Sequence, residues 1–214
     1  MRVKRSGIHV VAGILAAVAA TSEAAESRQM LAEAERIVSQ YKTVMEHPPG
    51  KVPSRDVVDG PLFGNGSLGA VISGPPEFQQ YWISKNNFWR LKDGHRQGGP
   101  RLFAGLDISI PALKGGTYRI EQDMFSAITT STFGKDGTNV TLRSFVPATD
   151  DIVIVEIIAG DKPVEGGCVL WPAKGRGSTE TSNATDSVFM VTKAFTNDVV
   201  IPTMAAGAMK IVGR

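Results

Sequence analysis

The tightest constraint on this chain is the rhythm of its turn residues. Beyond Pro53, short runs rich in β-branched and aromatic residues recur, most of them closed by glycine, proline or aspartate. The runs are residues 70–73, 79–84, 106–110, 118–121, 128–133, 140–145, 152–158, 169–171 and 188–192. Several alternate: Leu106, Ile108 and Ile110 with Asp107 and Ser109, and Tyr118 and Ile120 with Arg119 and Glu121. Alternation puts apolar side chains on one face of a strand. Gly134-Lys135-Asp136-Gly137 between two such runs predicts a hairpin. Lys114-Gly115-Gly116 and residues 159–163 break the chain at similar intervals. Many short strands at this spacing predict a mainly β fold, an antiparallel β-sandwich. Residues 152–158 are nearly continuous and β-branched, as expected for a strand buried on both faces. Residues 174–186 are polar and Gly/Ser/Thr-rich, and predict a long surface loop.

One N-terminal α-helix is predicted before the strands. Met30, Leu31, Ala34, Ile37, Val38, Tyr41, Val44 and Met45 recur at three- and four-residue spacing over residues 26–46, and His47-Pro48-Pro49-Gly50 ends the run. Upstream, Arg2, Lys4 and Arg5 precede the uncharged apolar run 10–20 and then small residues. This reads as a secretory signal, with a retained membrane anchor as the alternative. The expected organisation is a signal over 1–24, the helix and Pro-rich turn over 25–50, and the sandwich over 51–214. It places the mature chain in the secreted or periplasmic compartment, without a membrane association after cleavage.

The formal net charge of +2 over 214 residues carries no signature of a nucleic-acid partner. Cys168 is the single cysteine, so no internal disulfide can form, and a buried thiol is expected. Sequons occur at Asn65, Asn139 and Asn183. No cofactor and no metal is implied: His9 lies in the signal, and His47 and His95 stand alone without ligand spacing.

The stretch Gly64-Asn65-Gly66-Ser67-Leu68-Gly69-Ala70-Val71 matches G-x-G-x-x-G. A dinucleotide site needs a helix after the glycines, to hold a pyrophosphate on its N-terminus. Here the glycines lead into a short apolar run stopped by Pro75 and Pro76, which leaves no room for one. A protein kinase would need H-R-D and D-F-G, and His95-Arg96 is followed by Gln97. The remaining reading is a tight turn feeding a core strand, with the three glycines supplying positive φ or close approach and Asn65 tolerating the left-handed basin.

The same stretch, extended to Gly74, resembles the opening G-N-G-R-L-G-A-x-V-x-G of family 95 glycoside hydrolases, the α-L-fucosidase type. Ile83-Ser84-Lys85-Asn86-Asn87-Phe88-Trp89 is similar to that family's L-N-x-D-x-L-W, and Tyr118 to Ala127 is similar to its Y-x-R-x-L-D-L-x-x-A. Residues 138–145 and 150–158 resemble the strand pair that follows. The related family 65 shares this type of architecture. The resemblance spans about residues 57–158. It implies an N-terminal β-supersandwich, a linker and an (α/α)6 barrel that carries the acid and base. Ser67 stands where the family has arginine, and Lys85-Asn86-Asn87 departs from its polar run. No helical repeat precedes Arg214, so the expectation is a front domain, C-terminally truncated and inactive alone, partnered by a catalytic barrel in the full-length protein. The alternative is a stand-alone carbohydrate-binding or adhesive sandwich.

The acids agree with inactivity. Cleavage of a glycosidic bond normally needs two flanking carboxyls. Asp150 and Asp151 are adjacent, and would face opposite ways on a strand. Glu121 and Asp123 share a face and read as solvent-facing strand acids. Tyr81, Trp82, Phe88 and Trp89 cluster around two amides, and parity sends only one of Tyr81 and Trp82 to the core. Rings stack on sugar faces and amides bond hydroxyls, so the substrate-binding candidates are Asn65, Asn86, Asn87 and Trp89, with a glycan or oligosaccharide as the expected ligand.

Overall fold

Strands form where the alternation places them, and in several places beyond it. A computed structural model describes residues 24–53, 58–92, 98–185 and 188–213. In chain order its strands are β1 (Lys42–Met45), β2 (Leu62–Gly64), β3 (Leu68–Ser73), β4 (Phe78–Arg90), β5 (Gly99–Ser109), β6 (Thr117–Asp123) and β7 (Ile128–Lys135). They continue with β8 (Thr138–Phe145), β9 (Ile154–Ala159), β10 (Gly167–Pro172), β11 (Thr179–Ala184), β12 (Val188–Phe195) and β13 (Thr203–Lys210). The sheet orders are β1-β6-β7-β8-β9, β10-β5-β4-β3-β2 and β11-β12-β13. The hairpin between β7 and β8 turns at Asp136 and Gly137, both at positive φ, as the sequence predicts.

The first two sheets face each other across one core. Tyr118, Ile120, Phe133, Val140 and Leu142 come from the first sheet. Phe63, Leu68, Ala70, Ile72, Tyr81, Ile83 and Ile108 come from the second. Within each strand these residues sit two apart, so the inward face is apolar and the outward face is free for polar groups. Each large apolar side chain taken out of water contributes about 1.5–3 kcal/mol before entropy is counted. The third sheet packs Val191 and Phe195 of β12 on Phe88, Phe103 and Ala104 near the far ends of β4 and β5, and Phe88 stacks on Phe195 with ring centres 5.6 Å apart.

One strand serves both cores by changing parity. Tyr81 and Ile83 of β4 face the first core, whereas Phe88 and Arg90 are buried towards the second. Ser84 pairs with Leu102 and Trp89 with Pro100, so residues 85–88 of β4 stand opposite Arg101 alone. The surplus bows the strand outward at Lys85, Asn86 and Asn87, as a bulge does.

Four expectations need correction. Among the described residues the helix covers 24–38 and ends there, not at 46; Tyr41, Val44 and Met45 fit the helical spacing, but β1 pairs with β6 and Met45 packs on the sandwich core. Sheet pairing outweighs local periodicity there. Accordingly the chain divides into two compact units at Lys42/Thr43, and the sandwich takes in β1 rather than starting at residue 51. Met30, Leu31 and Ile37 of the helix are exposed. The β-branched run 152–158 is not buried on both faces: β9 lies at the edge of its sheet, with Ile157 and Ile158 exposed. The polar segment 174–186 is not all loop, because Thr179–Ala184 pairs with β12. The expected signal lies outside the described residues apart from Ala24.

Candidate functional site

The glycine stretch is a turn between β2 and β3. Gly66 has φ +88°, a conformation that L side chains rarely adopt. A Cβ on Gly64 would come within 2.4 Å of the Leu68 carbonyl oxygen, so close backbone approach excludes larger residues there. Gly69 meets neither condition: its nearest neighbour to a Cβ would be 3.7 Å away, and its φ is not positive. The chain continues directly into β3, with no helix, so the dinucleotide reading fails on geometry as well.

Asn65 locks the turn and ties it to a distant loop. Its side-chain oxygen accepts from the Ser67 and Leu68 backbone N–H groups at 3.0 and 2.9 Å. Its amide nitrogen donates to the Pro147 and Asp150 carbonyl oxygens at 2.9 and 3.1 Å. Both lone pairs of its oxygen and both hydrogens of its nitrogen are thus spent on backbone. Asn65 shapes the site and leaves little for a ligand to take.

The outward bow of β4 leans on this turn. The Asn86 backbone N–H donates to the Ser67 carbonyl oxygen at 2.8 Å, and its side-chain amide donates to that of Gly66 at 2.9 Å. The Trp89 indole N–H donates to the Asn86 carbonyl oxygen. Asn86, Asn87 and Trp89 are exposed, and Asn87 has no side-chain hydrogen bond among the described residues. Asn65, Asn86 and Trp89 therefore belong to one assembly at the turn, with Asn87 on its outer rim.

Sequence reasoning missed the charged centre of this assembly. Lys85 Nζ donates to Ser67 Oγ at 3.0 Å and to Asp151 Oδ2 at 2.6 Å. The Lys85 hydrogen bond, and secondarily that of Ser67, holds the Asp151 carboxyl below the ordinary carboxylate range. Asp151 lies 66 residues from Lys85, in a loop rather than on a strand, so only the tertiary fold brings them together. The local signal was Lys85 itself, a cation interrupting an alternating strand. Ser67, Lys85 and Asn86 line an open cleft of about 510 Å³ whose far wall carries Gln122, Asp123 and Thr129 of the opposite sheet.

Four acids of the sandwich are engaged within the fold, while Glu77 Oε2 is buried without a hydrogen-bond partner among the described residues. Asp151 is ion-paired with Lys85, and Glu121 with Arg119. Asp123 Oδ1 accepts from the Phe125 N–H at 3.0 Å, and Asp150 Oδ2 accepts from Thr149 Oγ1 at 2.8 Å. A carboxylate held below its ordinary range is a poor general acid. Cys168 is half-buried rather than fully buried, and burial pushes its thiol up, away from the reactive thiolate. No cluster of metal-ligating residues occurs among the described residues; His9 and His95 lie outside them.

No protein-family model matches the chain, and no curated protein matches it.

Proposed function

We propose that this chain is a carbohydrate-facing front domain of the family 95 glycoside hydrolase type, which shapes one wall of a sugar pocket and leaves bond cleavage to a partner barrel. The observation that carries this reading is the turn assembly. A rigid G-N-G turn presents Lys85, Asn86 and Ser67 to an open cleft, with Gln122 on the far wall, its amide nitrogen tied to the Leu62 carbonyl oxygen and to the buried Thr129 hydroxyl. Such a rim suits the hydroxyls of a sugar. Where the resemblance has arginine, Ser67 accepts a hydrogen bond from Lys85, so a cation stands beside that position all the same. The depressed Asp151 carboxyl, held by Lys85, supports a binding role over acid catalysis at this cleft.

The test has two arms. The chain is assayed on aryl α-L-fucosides, and titrated with L-fucose and fucosylated oligosaccharides by heteronuclear NMR. The reading expects no turnover, and shifts centred on Lys85, Asn86 and Gln122 that Lys85→Ala weakens severalfold. Robust turnover removed by an acid-to-amide change in this chain would overturn it. So would a cleft that no sugar perturbs.

A further inference from the structure

The outward face of the second sheet carries a second aromatic assembly that the cleft does not use. Trp82 of β4 pairs with Gly105 of β5, and Gly105 pairs with Trp171 of β10. Tyr81 and Ile83 point inward from β4, as Cys168 and Leu170 do from β10, so both tryptophans point outward.

The geometry of the pair can be read from Gly105. A Cβ there would lie 2.0 Å from Trp171 Cζ2 and 2.4 Å from each of its two ring neighbours, Cε2 and Cη2. Equal flanking distances of that size arise only when the point lies above the ring. Trp171 therefore covers Gly105 with its face and lies flat on the sheet. Trp82 is turned 78° to it, with ring centres 5.2 Å apart. One ring makes a floor and the other a wall.

Polar groups fix both rings and leave acceptors at their edge. The Trp171 indole N–H donates to Asp107 Oδ1 at 2.8 Å, and Gln80 Nε2 donates to the same oxygen at 3.2 Å. The Trp82 indole N–H donates to Ser73 Oγ at 2.8 Å. Asp107 Oδ2 and Gln80 Oε1 have no partner among the described residues. Leu62 and Val169, which share this outward face, are exposed.

We propose that Trp171, Trp82, Asp107 and Gln80 form a saccharide-binding shelf that stacks one pyranose ring of a neutral oligosaccharide. A pyranose has an apolar C–H face for the floor and a rim of hydroxyl donors for Asp107 and Gln80. An apolar peptide would strip water from the Asp107 carboxylate without replacing it, and an anionic ligand would meet a like charge. None of the four residues lines the cleft, so the shelf stands apart from the front-domain reading and can fail without it.

The chain has three tryptophans, so 5-fluorotryptophan labelling gives three ¹⁹F signals. Trp89→Phe identifies the signal of Trp89, leaving those of the shelf. The probes are β-1,4-gluco-, β-1,3-gluco- and β-1,4-xylo-oligosaccharides. We expect one of them to shift both shelf signals saturably. Trp171→Ala should weaken that binding about tenfold or more, Asp107→Asn severalfold, and Lys85→Ala in the cleft not at all. If Trp171→Ala fails to fold, the labelled wild-type signals and Asp107→Asn decide the matter. Shelf signals that no probe moves at millimolar concentration overturn the proposal. Binding abolished by Lys85→Ala but not by the shelf variants also overturns it, while leaving the cleft reading intact.

Discussion

Tyr81 Oη, on the second sheet, lies 2.9 Å from Ser144 Oγ, on the first. Both residues are fully buried, so this hydroxyl pair joins the two layers through the core. Burial also holds the Tyr81 phenol proton far above its ordinary value, although the Ser144 bond opposes this slightly. Tyr81→Phe strands the Ser144 hydroxyl and should cost about 1–3 kcal/mol in urea unfolding. Tyr81→Phe with Ser144→Ala should recover part of that loss, because both partners are then gone. Additive losses in the double variant would show that the two hydroxyls do not act as a pair.

Tyr118 makes the opposite case. It is buried, but its hydroxyl has no hydrogen-bond partner among the described residues. Tyr118→Phe should therefore change stability at neutral pH by no more than about 1 kcal/mol, and in the stabilising direction. Burial pushes the Tyr118 pKa up to about 12. An unfolded tyrosine loses its proton near pH 10. Between these values the unfolded state holds fewer protons than the folded one, so stability falls as pH rises. The decline should be shallower in Tyr118→Phe, measured by urea midpoints from pH 9 upward.

Asn65 should be the costliest single polar residue of the turn to remove. Asn65→Ala deletes two bonds that close the turn and two that anchor the loop at Pro147 and Asp150. A loss of about 2–4 kcal/mol is expected, with faster amide exchange at Ser67 and Leu68. Asn65→Asp separates the two roles. Its carboxylate still accepts from Ser67 and Leu68, but faces the Pro147 and Asp150 carbonyl oxygens without a donor. Loop exchange should rise around Asp151 while the turn amides stay protected.

The Lys85–Asp151 pair should give the cleft an acid-side dependence. Lys85, as hydrogen-bond donor, keeps the Asp151 carboxyl below its ordinary value. Its stabilising contribution is fully present above the unfolded aspartate pKa, near 3.9. The contribution is lost as pH falls through the lower folded value. NMR titration of the Asp151 carboxyl carbon should show a depressed midpoint in the wild type and a near-ordinary one in Lys85→Met. An unchanged midpoint in the variant would remove Lys85 as the cause.

Alternation made the sandwich legible because Tyr118, Ile120, Val140 and Leu142 are large, apolar and two apart in sequence. β13 was not legible: Ala205, Ala206, Gly207 and Ala208 carry little strand preference, and the strand exists through its register with β12. Residues 26–46 misled because Val44 and Met45 satisfy helical and extended spacing alike, and only the pairing of β1 with β6 decides between them. At the site, the turn was readable from Gly66, whose positive φ is local, whereas Asn65 acts not through a left-handed backbone but through side-chain bonds to Ser67, Leu68 and the distant Pro147 and Asp150. Asp151, Gln122 and Thr129 were not, since they reach the cleft from elsewhere in the chain through sheet packing. The outward bow at Lys85 and Asn86 follows from two cores pulling opposite parities of β4 inward, and no window along one strand records that conflict.

The edge at β9 is where this fold should be most prone to self-association. β9 is the last strand of its sheet, so among the described residues its outer backbone groups have no neighbouring strand. Ile158 pairs with Thr141, outside the core, and is exposed. Exposed, apolar edge strands recruit other strands, and a lysine on the edge blocks that pairing. Ile158→Lys should lower concentration-dependent association in sedimentation velocity, and leave the unfolding midpoint within about 0.5 kcal/mol of the wild type. The lysine would also stand diagonal to Arg143, but the Arg143 charge is already met by Glu156 at 2.8 Å, which keeps the added repulsion small. Association that persists unchanged in this variant would locate the self-interaction away from β9.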